Sequence, residues 1–199
     1  DGLKTAAREI GGVQIQASGT IGGNLCTASP AGDSIPCLMT LNAEIELASH
    51  LGARRLPLNE FLTGPRQTAC APDELVTAVY VPLDAETGVG GFEKLGARRY
   101  LVISIAMTAA RLSIADGRIV DAAISVGACA PVAVRLTELE AGLRGMACDM
   151  AEDFIRDSRS GIMAALSPID DVRGTAGYRR DAAAEIVARL VERLCGEFG

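Results

Sequence analysis

The residues most able to do chemistry lie in one run near the start of the chain, Ser18-Gly19-Thr20-Ile21-Gly22-Gly23-Asn24. Two adjacent glycines after a strand can take backbone angles closed to other residues. They can then turn successive N–H groups toward one point, a concavity suited to an anion such as a pyrophosphate. Such a site needs oriented amides more than a basic surface, which matters in a chain of net charge −6. Read alone, a glycine pair is a tight turn, and this one matches neither G-x-G-x-x-G nor G-x-x-x-x-G-K-[ST]. Other chemistry has less material. The one histidine, His50, stands in the polar turn Ser49-His50-Leu51-Gly52 and reads as a solvated loop residue, so no Ser/His/Asp or Cys/His set can be assembled. Six cysteines, at 26, 37, 70, 129, 148 and 195, lack the short paired spacing of a metal site and the density of a disulfide scaffold. They read as reduced, mostly buried thiols of a cytoplasmic protein.

The elements around this run follow from the hydrophobic pattern. Leu3, Ala6, Ala7 and Ile10 recur at helical spacing until Gly11-Gly12, and Val13, Ile15 and Ala17 then alternate as a short strand feeding the glycine loop. Ser34 can cap a short apolar helix from Pro36 to Leu41. Strands are expected over Ala43 to Leu47 and Leu75 to Val81. Pro82 to Gly91 replaces the apolar rhythm with polar and glycine residues and reads as a linker between domains. Beyond it, Gly91 to Gly96, Leu101 to Ile114 and Ile119 to Val126 predict three antiparallel strands, the last two joined by a hairpin at Asp116-Gly117. Helices are expected over Leu136 to Leu143, Asp149 to Leu166 and Gly177 to Cys195, covering one face of that sheet. The fold class is α+β.

Composition bounds the function. With 199 residues, 49% hydrophobic and 22% charged, the chain is an ordinary globular one, long enough for a real core. Its acidic balance argues against a nucleic-acid partner, and its apolar stretches fall well short of the ~20 residues that span a bilayer.

The longer run, Thr20-Ile21-Gly22-Gly23-Asn24-Leu25-Cys26-Thr27-Ala28-Ser29-Pro30-Ala31-Gly32-Asp33, resembles the second flavin-binding motif of the FAD subunit, or middle domain, of molybdenum hydroxylases. This family includes xanthine, carbon monoxide and nicotinate dehydrogenases. Pro72-Asp73-Glu74-Leu75-Val76, then Val81-Pro82, then Gly91-Phe92-Glu93-Lys94, then Arg98 to Ile105 continue the resemblance in order, as do Pro131 before Arg135 and Glu140 to Gly145. It implies a partial vanillyl-alcohol-oxidase-type FAD domain over 1–86. Over 87–199 it implies the family's C-terminal domain, a three-stranded antiparallel sheet with helices.

The resemblance also implies roles. The amides of Gly22, Gly23 and Asn24 would meet the pyrophosphate of FAD, with hydroxyls from Thr20 and Ser29. Thr27 and Asp33 would meet ribityl, ribose or phosphate groups, although Asp33 alone reads as a turn or capping aspartate. Val76 would pack against the adenine or isoalloxazine, or simply fill a strand position in the core. Lys94 would stand by the isoalloxazine and favour the reduced form, where an ordinary lysine would be solvated. Arg98 and Arg99 would face solvent, the flavin edge or a partner, and Tyr100 would cap the flavin or fill the core. Electrons would arrive from molybdopterin through [2Fe-2S] clusters on partner chains, rest on FAD, and leave to NAD or another acceptor. The family's earlier Ala-Gly-Gly-Thr-like loop does not precede Asp1, so the chain is expected to be a fragment or one piece of a split subunit and, by itself, to bind FAD weakly or not at all. The competing readings are a scaffold or docking module that no longer binds FAD, and a UDP-N-acetylmuramate-type reductase, which the Lys94 and Arg98 to Ile105 pattern disfavours.

Overall fold

The computed structural model describes residues 1–99 and 101–197, so the reading of Tyr100 lies outside the described residues. The chain opens with four helices, α1 (Gly2–Glu9), α2 (Val13–Ser18), α3 (Ile21–Thr27) and α4 (Ser34–Thr40). Strands β1 (Glu44–Ser49) and β2 (Gly52–Pro57) form a hairpin whose tip carries an exposed His50. Helix α5 (Leu58–Phe61), the small pair β3 (Leu62–Gly64) and β4 (Gln67–Thr68), and β5 (Leu75–Tyr80) follow. The first sheet runs β2-β1-β5, all antiparallel. Ile45 and Leu47 of β1 are fully buried while Glu44 and Glu46 turn outward, as the alternation predicts.

After a 3-10 turn at Leu83–Glu86 come β6 (Val89–Leu95), β7 (Ala106–Ala115), β8 (Arg118–Gly127) and β9 (Val134–Arg135), then α6 (Thr137–Leu143), α7 (Ala151–Asp157), α8 (Arg159–Ala164) and α9 (Ala176–Gly196). The second sheet is antiparallel, ordered β6-β7-β8-β9. Asp116 and Gly117 both take positive φ, 50° and 68°, the two-residue turn whose twist matches the flanking strands.

Several elements differ from the sequence reading. Residues 13–18 form helix α2 rather than a strand. Alternation implies a strand only if one face is buried, and no residue of α2 is; Val13 is 73% exposed. The Gln16 side chain instead donates to the Arg8 and Ile10 carbonyls at 3.1 Å each, taking up main-chain acceptors left by α1. The long strand from Leu101 begins only at Ala106, because Leu101 takes φ 53° and its carbonyl is held by the Arg98 guanidinium. The helix expected over 149–166 is broken at Ser158, which leaves α7 and α8 as separate segments.

The second sheet has a fourth, two-residue strand, β9, and both of its faces are covered. Ala106, Ala110 and Leu112 meet α9 and its neighbours in one core cluster, whereas Met107, Ala109 and Phe92 meet Ala6 of α1 and Cys37 of α4 in another. Gly91 shows why a glycine stands in β6. A Cβ there would lie 2.6 Å from Leu190 of α9, and on the other side the Gly2 backbone of α1 packs against Gly91 itself. The two sheets therefore share α1 and α4, and Asp33 is the N-cap residue of α4.

All six cysteines are free. Cys37, Cys129 and Cys195 are buried, Cys70 and Cys148 are half-buried, and Cys26 is exposed. Burial pushes the Cys37 and Cys195 thiols up to about 12 and that of Cys129 to about 11.

Candidate functional site

Gly22 and Gly23 are helical. Thr20 is the N-cap of α3: its hydroxyl accepts from the Gly23 N–H at 2.9 Å, and its carbonyl accepts from the Asn24 N–H at 3.0 Å. Neither glycine takes a positive φ. The expected loop of three converging amides is therefore the first turn of a helix, in which Gly23 and Asn24 are already bonded. Ile21 and Gly22 carry the N–H groups without an acceptor among the described contacts, as the first positions of any helix do. A Cβ at Gly22 would face Val76 of β5, at 3.9 Å.

This turn opens on a groove of about 620 Å³ formed with α1 and α2 and lined by Arg8, Ser18, Thr20, Asn24, Thr27 and Ser34 among others. Its lining contains no carboxylate and one charged side chain, Arg8. In a chain of net charge −6, that is a local excess of donors and positive charge. Exposed Ile15 and Ile21 add apolar surface. Open amides, hydroxyls, a guanidinium and an apolar wall fit an anionic, partly aromatic ligand such as FAD. Arg8 and Gln16 were missed from sequence, and Ser18, though part of the glycine-rich run, had been given no role. Their signal was helical spacing at 8–18, which the alternation of 13, 15 and 17 concealed.

The other expected residues are placed as follows. Thr27 donates back to the Gly23 carbonyl at 2.8 Å. The Asn24 side chain accepts from Ser34 at 2.7 Å, so Ser34 does not cap α4. Ser29 accepts from the Ala31 N–H at 3.3 Å and lies off the groove. Val76 is half-buried beneath α3 in the first core. Asp33 occupies the N-cap position of α4 without making a cap bond. Its carboxylate instead accepts from the Lys94 ammonium at 2.5 Å and from the Ser104 hydroxyl at 2.7 Å. Lys94 is thus not solvated; its side chain is 7% exposed. It opens on a second groove, of about 480 Å³, with Thr5, Phe92, Gly96, Arg98 and Arg99.

Fold and site together define a flavin-type domain followed by a small antiparallel domain, and sequence comparison identifies both. Residues 1–84 match the FAD binding domain in molybdopterin dehydrogenase, and residues 92–194 match the CO dehydrogenase flavoprotein C-terminal domain. The chain belongs to the family of FAD-binding medium subunits of molybdenum hydroxylases. It is similar to the nicotine 6-hydroxylase medium subunit of Paenarthrobacter nicotinovorans, 32% identical over 190 residues that cover 95% of this chain and 65% of that one. It is also similar to the carbon monoxide dehydrogenase medium chain of Afipia carboxidovorans, 33% identical over 90% of this chain and 62% of that one. The structure superimposes with a TM-score of 0.88 on a carbon monoxide dehydrogenase chain from Hydrogenophaga pseudoflava, at 27% identity over 96% of this chain and 65% of the other. The chain thus spans less than two thirds of the length of these relatives. Among the described residues no helix is long and apolar enough to cross a membrane.

Proposed function

We propose that this chain serves as the FAD-carrying, electron-transferring part of a molybdenum hydroxylase complex in the cytoplasm. Its partners would be a molybdopterin-binding large subunit and a [2Fe-2S] small subunit, and its acceptor NAD or another oxidant. The division into residues 1–86 for the flavin and 87–199 for the C-terminal domain is part of this reading. The observation that carries it is the carboxylate-free groove at the first turn of α3, with Arg8, the open N–H group of Ile21 and the hydroxyls of Ser18 and Thr20. Those donors and Arg8 would hold the diphosphate; Thr27 and Ser18 would offer hydroxyls to the sugar or ribityl chain, and Ile15 and Ile21 would exclude water from an apolar edge. Asn24 acts indirectly, by anchoring Ser34 and so the start of α4. Lys94 would place an ammonium near the flavin ring, where positive charge favours the reduced form. When bound, FAD supplies the ability to accept electrons singly and release them in pairs.

The test is Thr20→Asp in the full-length protein purified with its partner subunits. Aspartate caps a helix as well as threonine does, and position 20 lines the groove, yet a carboxylate there opposes a diphosphate. Flavin occupancy, read from visible absorbance, should fall at least about tenfold with little change in melting temperature. A colourless wild-type complex, or full flavin occupancy in the variant, would refute the reading.

A further inference from the structure

A lysine and an aspartate buried together are costly unless each is well bonded. Lys94 and Asp33 are 7% and 6% exposed at the side chain, with their charged atoms 2.5 Å apart, and Ser104, 1% exposed, holds the second carboxylate oxygen at 2.7 Å. Asp33 stands where a carboxylate would cap α4, makes no cap bond, and is committed wholly to Lys94 and Ser104. The next residue, Ser34, lines the groove and donates to Asn24, which lines it too. A polar file of Asn24, Ser34, Asp33 and Lys94 therefore runs from the groove to the ammonium, and Lys94 faces the second groove beyond. An ammonium paired in this way presents a dipole, not a full charge, and the field it casts depends on where the carboxylate is held.

We propose that Asp33 and Ser104 are positioning residues that orient the Lys94 ammonium and set how strongly its charge favours reduced flavin. The inference rests on the reading that this protein binds FAD with Lys94 near the ring. Asp33 acts through Lys94, and Ser104 through Asp33. Lys94 comes from β6 on the sheet face shared with Met107, the face that α4 covers, so the second sheet and the start of α4 meet at this cluster.

The experiment uses the full-length protein in its complex and measures the FAD midpoint potential, FAD content and melting temperature for Asp33→Asn, Lys94→Met, Ser104→Ala and Asp33→Glu. Asp33→Asn leaves the ammonium uncompensated and should raise the preference for reduced over oxidised FAD by about tenfold. Lys94→Met should shift it the opposite way. Ser104→Ala should move it in the sense of Asp33→Asn but less, and Asp33→Glu should return it toward wild type. Lower melting temperatures with every potential unmoved would assign the cluster a purely structural role and overturn the proposal. If Asp33→Asn loses its flavin, the potentials of Lys94→Met and Ser104→Ala decide the matter by the same criterion. A wild-type complex without FAD would overturn the parent reading as well; wild type with FAD and unmoved potentials would overturn this proposal alone.

Discussion

Glu140→Ala tests how the second sheet is closed. Strand β9 pairs only with Ser125 and Val126, so beyond it the edge of β8 runs out of partners at Ile124. The chain completes the ladder with other groups. The Ile124 N–H donates to the Glu140 carboxylate at 2.7 Å, and the Ile124 carbonyl accepts from the Leu136 N–H at 2.9 Å. The same carboxylate takes two bonds from Arg135, at 2.7 and 2.9 Å, and Arg135 in turn reaches the Met39 carbonyl at 2.7 Å and the Asn42 side chain at 2.9 Å. One buried glutamate, 7% exposed at its side chain, therefore serves a strand, a helix and the tail of α4. Removing it strands a guanidinium that is 24% exposed and a buried N–H. Breaking a buried pair costs about 3–5 kcal/mol, of which an orphaned N–H accounts for about 1–3. At about 2–4 °C per kcal/mol for a chain of this size, the melting temperature should fall by about 6–20 °C. Glu140→Gln, which keeps an acceptor for Ile124, should lose roughly half as much. Adding Arg135→Met to Glu140→Leu should recover all but the share due to the N–H. Thermal and urea unfolding followed by circular dichroism give these values. A Glu140→Ala variant within about 1 kcal/mol of wild type would show that β8 needs no such closure.

Gly88 precedes β6 with φ 84°, and a Cβ there would lie 2.1 Å from the Leu112 carbonyl oxygen. Gly88→Ala should cost at least about 2 kcal/mol in urea unfolding, because both the backbone angle and the contact oppose it. Acid should act through Glu74, whose carboxyl is lowered from 4.5 to about 2, first by the Arg54 guanidinium and then by the Ala71 N–H. A depressed folded value stabilises above the unfolded one, so this contribution is complete above about pH 4.5 and is lost as pH falls toward 2. Melting temperature measured across that window should fall less steeply in Glu74→Gln than in wild type; equal slopes would contradict the assignment.

Local patterns were legible wherever burial has a strict period. Ile45 and Leu47 alternate with Glu44 and Glu46 because β1 has one wet face, and Asp116-Gly117 marks the β7–β8 hairpin because only such residues take both positive angles cheaply. The same alternation misled at Val13 and Ile15, where no face is buried. The break at Ser158 left no sequence signal, because the apolar period of 154, 155, 162 and 163 passes through it. The short strands β3, β4 and β9, of two or three residues each, are too brief to show any period.

At the candidate site, Gly22-Gly23 read alone is a tight turn, and only the longer resemblance from Thr20 to Asp33 points to an anion there. Which amides remain open was decided by Thr20, whose hydroxyl and carbonyl bond Gly23 and Asn24 only once α3 has formed. The environment of Lys94 was beyond any local pattern. Its partners stand 61 residues away at Asp33 and, through that carboxylate, at Ser104, and only the packing of α4 onto the face of β6 and β7 brings them together. Charge pairing across such separations depends on three-dimensional proximity and burial, quantities that the order of residues specifies only through the completed fold.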